Sequence, residues 1–259
     1  MLLEVKDLNI SLTSGKSVAE HISFQLDQGE MLSIVGSSGA GKTTICKAIM
    51  GLLGNTYRAD GEILFQAENL LNLPERKRQA IYGKEICLIM QNPMTAFNPS
   101  IRVGRQMEKT YLLHHGKTPR QEMQRLFATI LQKLGLEDTQ RILNSYPFTL
   151  SGGMLQRLMI AAALMCQPAL LVADEATTAI DACNRIGLMR ELKSFCKDGM
   201  SVLFVTHDLR SASVSDRILV MDRGQIVEQG KTEQILNTPK EDYTKYLLNA
   251  CRLERREMS

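Results

Sequence analysis

The run MLSIVGSSGAGKTTIC, residues 31 to 46, leaves this chain little freedom of fold. The uncharged stretch Met31 to Val35 reads as a strand covered on both faces, the habit of a parallel sheet. It runs straight into GSSGAGKTT, Gly36 to Thr44, which satisfies G-x-x-x-x-G-K-[ST]. A helix is expected next, from about Lys42 to Leu53. Strand, glycine loop and helix in that order are the context a phosphate-binding loop requires. Gly36, Ser37, Ser38, Gly39, Ala40 and Gly41 let backbone N–H groups curl around an anion. Lys42 is expected to reach the β- and γ-phosphates, the Thr43 hydroxyl to hold Mg²⁺, and Thr44 to reach a phosphate from the helix start.

The rest of the chain supplies the strands such a loop needs around it. LLEVKDLNISL and HISFQL alternate apolar and polar residues as half-buried strands do. GEILFQ reads as a further edge strand and EICLIMQ as a second buried one. From about Asn92 to Leu164 strand signals vanish. There, Met123, Leu126, Phe127, Ile130, Leu131 and Leu134 fall at helical spacing between Pro119 and Gly135, so a helical insertion is expected. Buried strands then return as ALLVADE, SVLFVTH, RILVMD and QIVEQG. The alternation argues for an α/β core with a mainly parallel sheet. In the tail, Pro239 is expected as the first helical residue, with Tyr243, Tyr246, Leu247 and Ala250 along one face.

Ligands bind at the carboxyl ends of parallel strands. LLVADE puts Asp174 and Glu175 at such an end: Asp174 fits a second Mg²⁺ holder, and Glu175 a group that accepts a proton from, or orients, an attacking water. A strand-end Asp-Glu alone could equally be a solvated turn; its pairing with the phosphate loop gives it chemical meaning. VTHD ends another strand in the same way, so His207 faces the same edge and can position Glu175. Gln91, at the end of EICLIMQ, offers a neutral oxygen to the Mg²⁺ shell. Further on, Ser151-Gly152-Gly153 opens a long apolar helix, a second helix start suited to an anion.

These pieces together resemble ATP-binding-cassette ATPases over nearly the whole chain: phosphate loop, Q-loop (Gln91), signature LSGGMLQR (Leu150 to Arg157), Walker B (Leu170 to Glu175), D-loop (Ala179 to Asp181) and switch His207. The resemblance implies an α/β fold with a P-loop NTPase, RecA-like core, an N-terminal antiparallel β-subdomain and an inserted α-helical subdomain. One nucleotide-binding domain would span 1–259, with its core in 1–91 and 165–235, the helical subdomain in 92–164 and a C-terminal helix in 236–259. It implies ATP and Mg²⁺ as ligands. It also implies a head-to-tail dimer in which Ser151, Gly152, Gly153, Gln156 and Asp181 of one subunit complete the site built on the partner's phosphate loop. MQNPMTAFNPS, SYPFTLSGGMLQRLMIA and TPKEDYTKYLL are similar to the oligopeptide, dipeptide and nickel importer branch. The residues Met154-Leu155 after SYP lie closest to nickel and metal–metallophore (opine-type) importers, with oligopeptide or dipeptide uptake as the alternative. Partners implied are a second related ATPase, two membrane permeases and an extracytoplasmic binding protein, at the cytoplasmic face of a bacterial membrane. A non-transport ATPase switch of the same fold is a weaker reading, since no coiled-coil insertion or second cassette is present. Three departures stand out. Ala176 replaces the usual Pro, TAID replaces S-A-L-D, and Ser14 occupies the place where an aromatic often stacks on adenine.

Composition excludes other classes. A net charge of +3 over 259 residues gives no case for nucleic acid as a partner. The N-terminus carries Glu4, Lys6 and Asp7 where an export signal would be apolar. Residues 158 to 173 are broken by Gln167 and Pro168 and read as a buried helix and strand, not a membrane span. Six cysteines show no C-x-x-C spacing and read as reduced thiols in apolar runs. Fourteen methionines are read as packing, with Met90, Met159, Met165 and Met189 in core-like runs.

Overall fold

The computed structural model describes the backbone of residues 1–176 and 182–257, and the side chains of 1–176 and 185–251. The D-loop and Asp181 therefore lie outside the described residues. Along the chain, β1 (Leu3–Leu12) and β2 (Ser17–Leu26) form a hairpin; β3 (Met31–Val35) leads through the glycine loop into α1 (Lys42–Ile49). β4 (Tyr57–Phe65) and the two-residue β5 (Glu68–Asn69) return to the hairpin, and α2 (Glu75–Ile81) leads to β6 (Ile86–Ile89). Four helices follow: α3 (Val103–His115), α4 (Arg120–Lys133), α5 (Thr139–Asn144) and α6 (Gly152–Leu164). The chain then runs through β7 (Leu170–Asp174), α7 (Ala182–Cys196), β8 (Ser201–Thr206), α8 (Leu209–Ala212), β9 (Arg217–Asp222), β10 (Gln225–Lys231), α9 (Thr232–Asn237) and α10 (Asp242–Glu257).

Two sheets carry the strands. One is antiparallel, in the order β2-β1-β4-β5; the other runs β10-β9-β3-β8-β7-β6. Within the second, β3, β6, β7, β8 and β9 are parallel, and only β10 runs antiparallel, against β9. Every residue of β3 and β8 is buried, which is why both read as unbroken apolar runs. One apolar cluster fills the space between the two sheets, around Ile34, Ile45, Ile63 and Val205. A second joins the other face of the large sheet to α3–α7, around Phe127, Leu158, Leu188 and Phe204. A third packs Val35, Ile218 and Val220 against α9 and α10.

The alternation in β1 slips by one residue. Leu3 and Val5 are buried, then Leu8 and Ile10. Three steps of β1, Val5 to Leu8, face two of β2 and two of β4. Asp7 is the extra residue, with φ of 45°. Gly61 lies opposite; a Cβ there would stand 2.5 Å from the Asp7 carbonyl oxygen. His21, also at positive φ, bulges β2 in answer, and its Nδ1 lies 2.7 Å from Asp7 Oδ1.

Several sequence expectations need correction. α1 stops at Ile49, short of Leu53, because the N–H groups of Gly51 and Leu52 turn back to Ala48 and Lys47. GEILF forms the second half of β4, which lies inside its sheet with β5 beyond it. QIVEQG lies in β10, a half-exposed edge strand rather than a buried one. Pro239 does not start the last helix; it begins at Asp242, because the Glu228 carboxylate accepts the N–H groups of Lys240 and Glu241 and holds them outside helical bonding. A separate short helix, α9, precedes that break. Tyr246 is 66% exposed, whereas Tyr243 and Leu247 pack inward. Met159, Met165 and Met189 are buried, but Met90 is 53% exposed, because β6 ends one residue before it. Cys46, Cys87, Cys166 and Cys196 are buried thiols.

Phe204 lies in the middle of β8, fully buried, in register with Ser33 and Ala173. Phe204→Ala is expected to cost about 3–5 kcal/mol of unfolding free energy, the usual range for emptying an aromatic core position. Urea titration checks it; a loss below about 1 kcal/mol would mean the core refills the cavity.

Candidate functional site

The large sheet delivers its functional groups to one edge. β3 ends in the glycine loop, β7 in Asp174-Glu175, β8 in Thr206-His207, and β6 ends two residues before Gln91. Parallel strands end on the same side, so four separate segments converge there.

The loop itself is tightly seated. A Cβ on Gly36 would lie 2.2 Å from the Met221 carbonyl oxygen, so β9 presses directly on the base of the loop. Gly41 is the N-cap of α1 with φ of 95°, a conformation suited to glycine, and no side chain caps that helix start. Its first N–H groups are therefore open to an anion. Ser37, Ser38 and Gly39 are exposed, Ala40 is buried, and Thr44 is half-buried. Lys42 is only 5% exposed, and its ammonium donates to the Gly36 and Ser37 carbonyl oxygens, at 2.8 Å each. Burial pulls its pKa below the ordinary lysine value, against the pull of the Glu175 and Asp174 charges.

Thr43 Oγ1 donates to Asp174 Oδ1 at 3.1 Å. Burial raises the Asp174 pKa, while the Thr43 hydrogen bond opposes the shift. Hydroxyl and carboxylate oxygens side by side suit a hard cation such as Mg²⁺. No group of three or more His, Cys, Asp or Glu side chains able to hold a metal occurs among the described residues. A cation held by one or two protein oxygens and by phosphates needs none.

Glu175 is held from both sides. Gln91 Nε2 donates to Oε2 at 2.8 Å, and His207 Nδ1 lies 3.2 Å from Oε1. The Glu175 N–H donates to the Val205 carbonyl at 2.9 Å, and its φ is 49°. Such a conformation in a non-glycine residue costs about 1–3 kcal/mol and persists where the surroundings fix it. Ala176, just beyond, is fully buried.

Ser151, Gly152 and Gly153 start α6 on the helical insertion. The Ser151 hydroxyl accepts the Met154 N–H at 3.2 Å, so one N–H of that helix start is already bonded. Ser151 and Gly152 are exposed. Gln156 is not with them: it is fully buried, and both of its amide atoms lack a hydrogen-bond partner. Its helical position, five residues from Ser151, turns it inward beside Leu155, which sequence spacing alone does not reveal. Sequence reading also missed Tyr243, whose hydroxyl accepts the Ser37 N–H at 3.1 Å from the far end of the chain. No motif signals a contact across 206 residues.

The Gly36 approach to Met221 is backbone against backbone, so nothing flexible can give way. Gly36→Ala is expected to destabilise the protein by about 1–3 kcal/mol, as overpacking does. A thermal melt checks it; an unchanged midpoint would show that the loop base can shift away from β9.

Comparison with known proteins agrees with this geometry. The family model for ABC transporters matches residues 19–178. The chain is 40% identical over 251 residues to the metal-staphylopine import system ATP-binding protein of Staphylococcus aureus strain Mu50, covering 96% of this chain and 92% of that one. It is 42% identical to the oligopeptide transport ATP-binding protein of Bacillus subtilis strain 168, covering 95% and 71%. Among solved structures, a dimeric ATP-binding cassette in a post-hydrolysis state with ADP and phosphate superimposes with a TM-score of 0.78 at 26% identity, covering 89% of this chain and 99% of that one. With strand ends, phosphate loop and signature helix in this arrangement, the chain belongs to the ABC transporter family and is an ATP-hydrolysing subunit of an importer.

Proposed function

We propose that this chain couples Mg²⁺-ATP binding and hydrolysis to uptake of nickel or of metal–metallophore complexes. The observation that carries the catalytic part is the Glu175 carboxylate, placed by Gln91 and His207 at the same strand edge as the phosphate loop. In this reading Gly36 to Thr44 cradle the phosphates, and Lys42 leaves its two carbonyl partners for the β- and γ-phosphates. Thr43, Asp174 and Gln91 hold Mg²⁺, which when bound offsets phosphate charge. Glu175 orients the attacking water and accepts its proton, while His207 fixes the carboxylate and is the group that would hydrogen-bond the γ-phosphate. Positioning and electrostatics carry the rate.

A second subunit completes the site. Ser151 and Gly152 are exposed and Gly153 is half-buried at a helix start, as a surface awaiting another chain's phosphates would be. The partner is a related ATPase, so the pair is a heterodimer; two permeases and an extracytoplasmic binding protein make up the rest. Asp181 belongs to the same inter-subunit reading. The core comprises 1–91 and 165–235, the helical subdomain 92–164, and the tail 236–259. No helix among the described residues is long and apolar enough to cross a membrane. The exposed Met90, Met94, Ile101 and Phe148, near Gln91 and the signature in sequence, suit contact with permeases at the cytoplasmic face. The metal cargo rests on the Staphylococcus aureus relative and on Met154-Leu155; the Bacillus subtilis relative supports oligopeptide uptake as the second reading.

Glu175→Gln is expected to lower ATP turnover roughly a hundredfold or more while ATP stays bound in a closed dimer. Near-normal turnover in a phosphate-release assay would remove Glu175 from this role. Gly152→Asp should leave ATP binding by the single chain intact but abolish hydrolysis at the site this helix completes; impaired binding by the monomer would count against the composite site. For cargo, the binding protein that co-purifies with the membrane complex should carry metal by elemental analysis. Bound peptide without metal would favour the second reading.

A further inference from the structure

The Gly36–Ser37 peptide unit, at the base of the phosphate loop, is held at both ends. Its carbonyl oxygen accepts from the Lys42 ammonium at 2.8 Å, and its N–H donates to the Tyr243 hydroxyl at 3.1 Å. The two grips differ in kind. Lys42 is the group that turns toward phosphate when nucleotide arrives, in the reading given above, on which this inference rests. The Gly36 carbonyl then loses its partner. Rotation of that peptide is unhindered on the Gly36 side, where no Cβ restricts ψ, and opposed on the Ser37 side by its Cβ. Rotated, it would aim a carbonyl oxygen, not an N–H, toward the anion cradle.

Tyr243 is built to resist that rotation. Its ring packs in the cluster that contains Val35, the residue just before the loop, with Ile218, Val220 and Ile235. Its helix begins where Glu228 of β10 accepts the N–H groups of Lys240 at 2.8 Å and Glu241 at 3.2 Å. Lys245 and Asp242 pair across that first turn at 2.9 Å. Tyr246 stacks alongside Tyr243, with ring centroids 6.5 Å apart. The hydroxyl is therefore delivered from a rigid base to one N–H of an otherwise exposed loop residue.

We propose that Tyr243 is a positioning residue for the phosphate loop: by holding the Ser37 N–H, it fixes the Gly36–Ser37 peptide in the nucleotide-receiving orientation after Lys42 has left. The C-terminal helix thereby becomes part of the nucleotide site without touching nucleotide. The opposite arrangement, a hydroxyl occupying an N–H that phosphate needs, predicts the opposite sign.

Tyr243→Phe removes the oxygen and keeps the ring. With the full chain, binding of ADP and of a non-hydrolysable ATP analogue is measured by titration calorimetry, beside thermal melts without nucleotide. Loss of one such hydrogen bond is expected to raise both dissociation constants about threefold to tenfold, with the melting midpoint unchanged. KM for ATP should rise with them, while kcat at saturation holds. Tyr243→Ala, which also empties the packing site, should lower the midpoint as well. Unchanged or tighter binding by Tyr243→Phe, with binding lost in Lys42→Ala, overturns the positioning role and leaves the loop assignment standing. Retained affinity in Lys42→Ala overturns both.

Discussion

Lys42 is a nearly buried cation, and much of the surrounding arrangement answers its charge. An ammonium taken out of water must be met by dipoles or anions nearby. Here it is met by the Gly36 and Ser37 carbonyls, and the carboxylates of Asp174 and Glu175 support it electrostatically. Those carboxylates can be near only because β7 runs parallel to β3 and stands one strand away, with β8 between them. The same sheet order brings His207 from β8 to Glu175. One buried charge thus ties together the loop, two strand ends and the sheet topology.

Much of this could be read from the chain. The loop motif, the acidic pair and His207 each follow an apolar run that can only be a buried strand, so their place at one edge follows from the parallel sheet. The helical insertion was legible from its 3.6-residue spacing, and α4 begins and ends where Pro119 and Gly135 indicate. What could not be read has a common cause: it depends on contacts between distant segments. Tyr243 reaches Ser37 across 206 residues of sequence. Glu228 displaces the start of α10 from Pro239 by accepting N–H groups from another element. Gln156 sits inside the helical insertion because of the way α6 is rolled against its neighbours. Met90 looked like core because it continues an apolar run, yet the strand ends before it.

Among the described residues, polar ties from the helical insertion to α7 and the turn after it include Arg157 with Glu191 and Lys133 with Asp198. Arg157 of α6 donates to the Leu134 carbonyl at the end of α4 and lies 3.3 Å from Glu191 of α7. Burial raises the Glu191 pKa, and the Arg157 charge opposes that shift. α6, which carries the signature residues at its start, is thereby tied near its middle to α4 and α7. A motion of the insertion has to carry this tie with it or break it, so the exposed N-terminus of α6 and the middle of the same helix report on different neighbours.

The slipped alternation of β1 bears on how the length of this chain can vary. Asp7 is an extra residue relative to both neighbouring strands, so β1 behaves as two half-strands joined by a spare position. Removing one residue at that point would restore strict alternation and keep Leu3, Val5, Leu8 and Ile10 on the buried face. Removing one elsewhere in either half would send half of those side chains to solvent. Within β1, single-residue length change, ordinarily ruinous inside a strand, is thus best absorbed at Asp7, and Gly61 on β4 marks that position from across the sheet.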